Sequence, residues 1–151
     1  MIFRNAKMSD VESIASLIND YADQNLMLPR TIPFIYQRIR EYMVIEKDDI
    51  IIGVGALHVL WKDLAEICSL AIHPNYVGQG LGQKLVEKLT LVCRELAIEK
   101  LFTLTYQPDF FKKCGFTPIE KEKLPQKVWT ECINCPLFPN CEEVALIKDL
   151  V

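Results

Sequence analysis

Residues 65–82, AEICSLAIHPNYVGQGLG, decide the fold. Ile67 to Ile72 is an apolar run of the kind that forms a buried strand. His73-Pro74-Asn75 ends it as a turn. Glycines then recur at every second position, Gly78, Gly80 and Gly82, and an amphipathic helix follows at once. A strand that feeds a glycine-rich loop opening a helix is a phosphate site in outline: the backbone comes close, its amides point inward, and the helix N-terminus favours negative charge. Two familiar phosphate loops are excluded by spacing. No Gly-Lys-Ser/Thr closes the run, as a Walker A loop requires, and the glycines give Gly-x-Gly-x-Gly where a dinucleotide fold wants Gly-x-Gly-x-x-Gly.

On the C-terminal side, Leu81, Leu85, Leu89, Val92, Cys93 and Leu96 repeat at helical spacing, which predicts a helix from about Gly80 to Ala97. Lys100 to Thr105 reads as another buried strand, Asp109 to Lys113 as a short helix, Cys114-Gly115-Phe116 as the start of a return strand, and Val144 to Ile147 as a final strand. On the N-terminal side, Ile2 to Arg4 predicts a first strand. Ser9 and Glu12 have capping-box spacing, and Val11, Ile14, Ala15 and Ile18 then form one apolar stripe to about Ala22. Gln24 to Pro33 is a loop, and Phe34 to Arg40 a second short helix. Tyr42 to Glu46 and Ile50 to Leu60 predict a hairpin turning at Lys47-Asp48-Asp49. Gly53 and Gly55 inside its second strand suggest a bulge or a close approach by another backbone.

The 151 residues suffice for one domain with a core of its own, residues 1–151, in which about 118–151 form a cysteine-containing C-terminal segment. A net charge of −3 without a basic run argues against nucleic acid as a partner. Charges interrupt the apolar stretches well short of a membrane span, and the first residues carry no signal-peptide pattern, so a cytoplasmic protein off the membrane is expected. For a chain of this kind the six cysteines are expected to be reduced thiols or metal ligands rather than a disulfide scaffold. Cys132, Cys135 and Cys141 resemble part of a zinc or iron–sulfur site, but a fourth local ligand is missing. The expectation is no metal, with this cluster as the one alternative place for it. A homodimer is left open.

The glycine loop resembles the pyrophosphate loop of the GNAT acyltransferase superfamily, Gln/Arg-x-x-Gly-x-Gly/Ala. Gly80 and Gly82 match its two small positions, while Val77 departs from the first. Phe111 to Phe116 resembles the family's Tyr-x-x-x-Gly-Phe, with Phe111 in the tyrosine position. A phenylalanine cannot protonate a departing thiolate, so that general acid is not carried over; Tyr106 is near in sequence, and Phe111 is expected to pack against the cofactor. The resemblance implies an α+β fold: one mostly antiparallel sheet of six to seven strands, helices on both faces and a splayed central strand pair. It implies acetyl-CoA as cosubstrate, its pyrophosphate on the amides of Val77, Gly78, Gln79, Gly80, Leu81 and Gly82. The thioester oxygen would meet amides at Leu70, Ala71 and Ile72, where the family's strand bulges.

Glu66 occupies the place of the family's glutamate base at the start of the central strand. An amine arrives as an ammonium and must lose a proton before it attacks, which a partly buried carboxylate can take. The plain alternative is a solvated strand-end charge. Arg30 follows an apolar stretch, Leu26 to Leu28, and could grip a carboxylate through two parallel bonds, or else be a surface arginine. His58 is read as a packed residue or as a substrate or proton-shuttle residue. The stretches at Leu26 to Thr31, Gly55 to Trp61, Leu101 to Phe116 and Trp129 to Cys141 are similar to the short, stand-alone amino-acid N-acetyltransferases of the N-acetylglutamate synthase type. That similarity implies an amino-acid acceptor, L-glutamate foremost, attacked directly in a ternary complex. Another small amine, a protein N-terminus, or a non-catalytic acyl-CoA or metal sensor are the alternatives.

Overall fold

A computed structural model describes residues 1–124 and 143–151. Cys132, Cys135 and Cys141 lie outside the described residues, and so does Trp129. Among the described residues seven strands make one sheet: β1 (Ile2–Asn5), β2 (Tyr42–Lys47), β3 (Ile50–Trp61), β4 (Leu64–Ile72), β5 (Lys100–Thr105), β6 (Thr117–Pro118) and β7 (Val144–Asp149). Their order across the sheet is β1-β2-β3-β4-β5-β7-β6. All neighbours are antiparallel except β4 and β5.

Alternation along the strands sends apolar residues to both faces, so both need cover. Val44 and Ile45 are adjacent in β2, and both are fully buried in different clusters. One face is covered by α1 (Val11–Ala22) and α2 (Ile32–Gln37), whose Ile14, Ile18 and Ile35 pack against Val44, Val54 and Ala71. The other is covered by α3 (Leu81–Glu95) and α4 (Pro108–Lys113), whose Leu85, Leu89 and Phe111 pack with Ile45, Ile67 and Leu101. The expected α+β sheet with helices on both faces is therefore the architecture observed.

Local chemistry differs from expectation at the start of the first helix and at the ends of the second. Ser9 and Glu12 do not start α1. Met8–Asp10 is a 3-10 turn, and Asp10 accepts the Lys7 amide at 2.7 Å and both Arg4 terminal nitrogens at 2.7 and 3.0 Å. Arg4 also reaches Glu46 at 2.8 Å, so one guanidinium fastens β1 to β2 and to the head of α1. Arg4 holds the Asp10 carboxyl below the usual range, and both carboxylates hold the arginine cationic. The second helix stops at Gln37, where Arg38 leaves helical geometry, and resumes only as the 3-10 turn Ile39–Glu41. Its start is capped by Thr31, whose hydroxyl accepts the Phe34 amide at 3.2 Å. The β2–β3 turn is two residues long, with Asp48 and Asp49 both left-handed, at φ 51° and 63°. That pattern matches the right-handed twist of the strands it joins.

No helix among the described residues is long and apolar enough to cross a membrane.

Candidate active site

β4 and β5 run side by side only from Leu64/Lys100 to Glu66/Phe102. Beyond that pair they diverge, which opens the sheet in its middle. Thr103 stands at the fork: its buried hydroxyl donates to the Ile67 carbonyl at 2.9 Å, the last tie before the gap. The gap leaves strand edges without their usual partner, and an extended ligand with amides of its own can complete such an edge.

β4 is irregular on its other side too. Val54 pairs with Ala71 and Ala56 with Cys68, so two steps on β3 answer three on β4. The extra residue is a β-bulge, with Ser69 left-handed at φ 54°. Ser69 and Leu70 have no register partner on β3. The bulge also reverses the facing of the residues after it: Cys68 and Ala71 both pack on the α1 side, and Leu70 on the α3 side. Gly55 lies opposite the bulge because Leu70, Leu85 and Leu89 crowd it; a Cβ there would meet their side chains at 3.1–3.3 Å. The close approach expected at this glycine is thus by side chains rather than by backbone.

The gap widens into a cavity of about 580 Å³, within the size range of small-molecule sites. One end is the glycine turn. Gly78 and Gly80 have φ 87° and 76°, and a Cβ on either would meet nothing within 4 Å. Their requirement is conformational: the chain must pass through left-handed geometry to turn its amides toward α3's first turn. Gly82 serves differently. A Cβ there would lie 3.1 Å from Phe110 Cζ, so this glycine makes room for α4. Phe110 and Phe111 meet edge to face at 5.1 Å, and Phe111 meets Phe116 likewise at 5.4 Å. Val77, in the departing position, is 61 % exposed.

The cavity wall includes Leu70, Ala71, Ile72, Val77, Gly78, Gly80, Leu81, Gly82, Phe111, Glu66 and Arg30. Gln79 and His58, also singled out in the sequence, are not on it, nor is Tyr106. From Ile72 to Glu66 the strand spans about 20 Å, a length that suits an extended acyl-thiol arm running from a phosphate group at the glycine turn to a reacting carbonyl at Glu66.

The cavity lining also includes polar and charged side chains. Arg30 has its backbone pinned by the Asn19 side chain, which accepts the Arg30 amide at 3.0 Å and donates to its carbonyl at 2.8 Å. Its guanidinium lies 4.6 Å from the Phe34 ring centre, with Arg38 4.3 Å over the same ring. The cation–ring contact helps hold the guanidinium in place, and its donors lie in its plane, where a carboxylate meets them edge-on. Tyr21 also lines the cavity and donates its hydroxyl to the Ile72 carbonyl. Tyr42 is buried in the cluster that Tyr21 packs against, and burial pushes its hydroxyl up to about 12, so it stays protonated through the neutral range. His58 pairs through Nδ1 with Glu41 at 3.0 Å. Among the described residues no cluster of histidine, cysteine or carboxylate could hold a metal ion.

Sequence reasoning passed over the hydroxyl of Thr103 and the pairing of Glu41, and it expected the bulge of this strand at Leu70 to Ile72 without singling out Ser69, its left-handed residue. Thr103 carried a readable signal, a hydroxyl inside the buried-type strand KLFTLT. Ser69 carried none, since a serine does not announce a positive φ.

The model of the Acetyltransferase (GNAT) family matches residues 10–116. An uncharacterized N-acetyltransferase of Chlorobaculum tepidum is 38 % identical over 147 residues, covering 97 % of this chain and 95 % of its own. An amino-acid acetyltransferase of Mycobacterium tuberculosis is 37 % identical over 133 residues, covering 86 % and 76 %. The N-acetylglutamate synthase of Neisseria gonorrhoeae, solved with coenzyme A and N-acetyl-glutamate, superposes with a TM-score of 0.91 at 25 % identity over 99 % of this chain, which spans 35 % of that one. Since the family match takes in every helix from α1 to α4, the chain belongs to the GNAT family and is an acetyl-CoA-dependent N-acetyltransferase.

Proposed function

We propose that this enzyme transfers the acetyl group of acetyl-CoA to the α-amine of L-glutamate, the first step of arginine biosynthesis, in the cytoplasm. The observation that carries the reading is that Arg30 and Glu66 line the same cavity as the glycine turn. Arg30 supplies a fixed cation for a substrate carboxylate, and Glu66 a base for the ammonium. The names of the Mycobacterium relative and the Neisseria structure support an amino-acid acceptor.

The pyrophosphate rests on the amides of the Val77–Gly82 turn, and the arm lies along the open edge of β4. Glu66 accepts a proton from the bound ammonium. The freed nitrogen lone pair attacks the thioester carbonyl, whose oxygen takes up the charge. A main-chain amide in the Leu70–Ile72 segment receives it; of these, Leu70 is the one outside the β3 register. The intermediate collapses, the C–S bond breaks and the amide forms. Phe111 has no proton to give. CoA leaves as a thiolate, a tolerable leaving group because a thiol's ordinary pKa is about 8.5, and solvent reprotonates it. The glycine turn, Glu66 and Arg30 line one continuous cavity, which supports direct transfer in a ternary complex.

The test is thiol release from acetyl-CoA against a panel of amino acids, peptides and polyamines. Turnover with L-glutamate well above all others is expected. Turnover confined to peptides or polyamines would retain the acetyltransferase and overturn the acceptor. CoA binding without any turnover would replace the reading by a sensor.

A further inference from the structure

His58 and Glu66 are register partners across β3 and β4. Their side chains therefore leave the same face of the sheet, with Cβ atoms about 4.5–5.5 Å apart. Glu66 lines the cavity and His58 does not, so the histidine stands behind the glutamate as seen from the substrates. On its other side His58 Nδ1 meets Glu41 Oε2 at 3.0 Å, and the two side chains are 23 % and 26 % exposed. The result is a row that leads from the cavity through Glu66, His58 and Glu41 to water. A carboxylate can only accept, so the neutral imidazole gives Glu41 its Nδ1–H and keeps Nε2 as an acceptor.

We propose that His58, held in that tautomer by Glu41, is a positioning residue that carries off the proton Glu66 takes from the acceptor. The inference rests on the acetyl-transfer reading above. The N–H bond of the ammonium breaks and its proton binds the Glu66 carboxylate. The new O–H bond then breaks and the proton passes to His58 Nε2, directly or through one water. The imidazolium pairs with Glu41 and releases a proton to solvent, which returns both groups to their starting states. The physical need is that acetyl-CoA and the amine, once bound, displace water from the cavity side of Glu66. An exit on the opposite side stays open while the site is full.

The experiment measures thiol release at saturating acetyl-CoA and amine for the wild type, His58→Ala, His58→Gln and Glu41→Gln. His58→Ala is expected to lower kcat by about tenfold or more while both KM values stay within about twofold, and added imidazole is expected to restore part of the rate. His58→Gln, which keeps a polar contact to Glu41 but cannot titrate, is expected to be comparably slow. Glu41→Gln is expected to be slowed less and to show no imidazole response. Wild-type kcat in either His58 variant overturns the proposal, as does a loss in His58→Ala that imidazole leaves unchanged. A wild type that acetylates no amine fails at an earlier stage, because it removes the acetyl-transfer reading itself.

Discussion

Replacing Gly80 by alanine isolates what the backbone of the glycine turn contributes. Gly80 sits at φ 76° and ψ 10°, and a Cβ built there meets nothing within 4 Å. The substitution thus adds no clash, and its whole cost is an L-residue in left-handed geometry, about 1–2 kcal/mol. That cost must surface in one of two quantities. If the turn keeps its shape, the folded protein carries the strain, and urea denaturation reads a stability loss of that size with CoA affinity unchanged. If the turn relaxes toward negative φ, the amides swing away and the CoA dissociation constant rises, by about 5- to 30-fold. Denaturation paired with calorimetric CoA titration reads both, and the two losses together should come to about 1–2 kcal/mol. Gly80→Asn is the control, because asparagine tolerates this region, and it should recover most of the loss. An alanine variant that matches wild type in both measurements, or an asparagine variant as damaged as alanine, would refute the argument. Gly82→Ala should behave differently, since its Cβ meets the Phe110 ring at 3.1 Å; shortening Phe110 to leucine should relieve Gly82→Ala and leave Gly80→Ala untouched.

Glu66→Gln should lower kcat by about 10²- to 10⁴-fold with CoA affinity unchanged, read by single-turnover kinetics; a loss of CoA binding instead would remove Glu66 from the chemistry. Arg30→Lys keeps the charge and loses the planar fork, so the KM for glutamate should rise about tenfold with the KM for acetyl-CoA unchanged, which steady-state assays resolve. Asp10→Ala removes the Lys7 amide's acceptor and Arg4's main partner and should cost about 2 kcal/mol in denaturation, with Arg4 still held by Glu46. The pH dependence has a definite sign: Arg4 lowers the folded-state pKa of Asp10, so this stabilisation is complete above the ordinary carboxylate range of about 3.9 and fades as acid titrates through the lower folded value. Acid unfolding of Asp10→Ala should accordingly be shallower in that window than that of the wild type.

Much of the architecture was legible because its signals are local. Leu81, Leu85, Leu89 and Cys93 of the expected stripe are buried by α3, together with Val86 and Thr90, while Leu96 lies past its end and is exposed. Lys100 to Thr105 was bounded correctly as a strand because no residue inside it breaks the apolar pattern. The α1 start was misread because Ser9 and Glu12 carry the right spacing, while the decisive partner of Asp10 is Arg4, on a strand that only the folded sheet brings near. His58 was visible as a lone histidine, but its neighbours Glu41 and Glu66 come from two other elements and could not be paired with it by spacing.

The sequence by itself determined the glycine turn between strand and helix, the amphipathic helices and the longer strands, since each depends on propensity and periodicity over a few neighbours, while the six- to seven-strand sheet was implied by the family resemblance. Tertiary structure alone decided where β4 and β5 part, that the bulge falls at Ser69 with Leu70 outside the β3 register, and that Arg30 and Glu66 share one cavity while His58 stands behind it. Those features depend on register between strands far apart in the chain. Register is set by the summed packing of both faces of the sheet, which no local stretch of sequence contains.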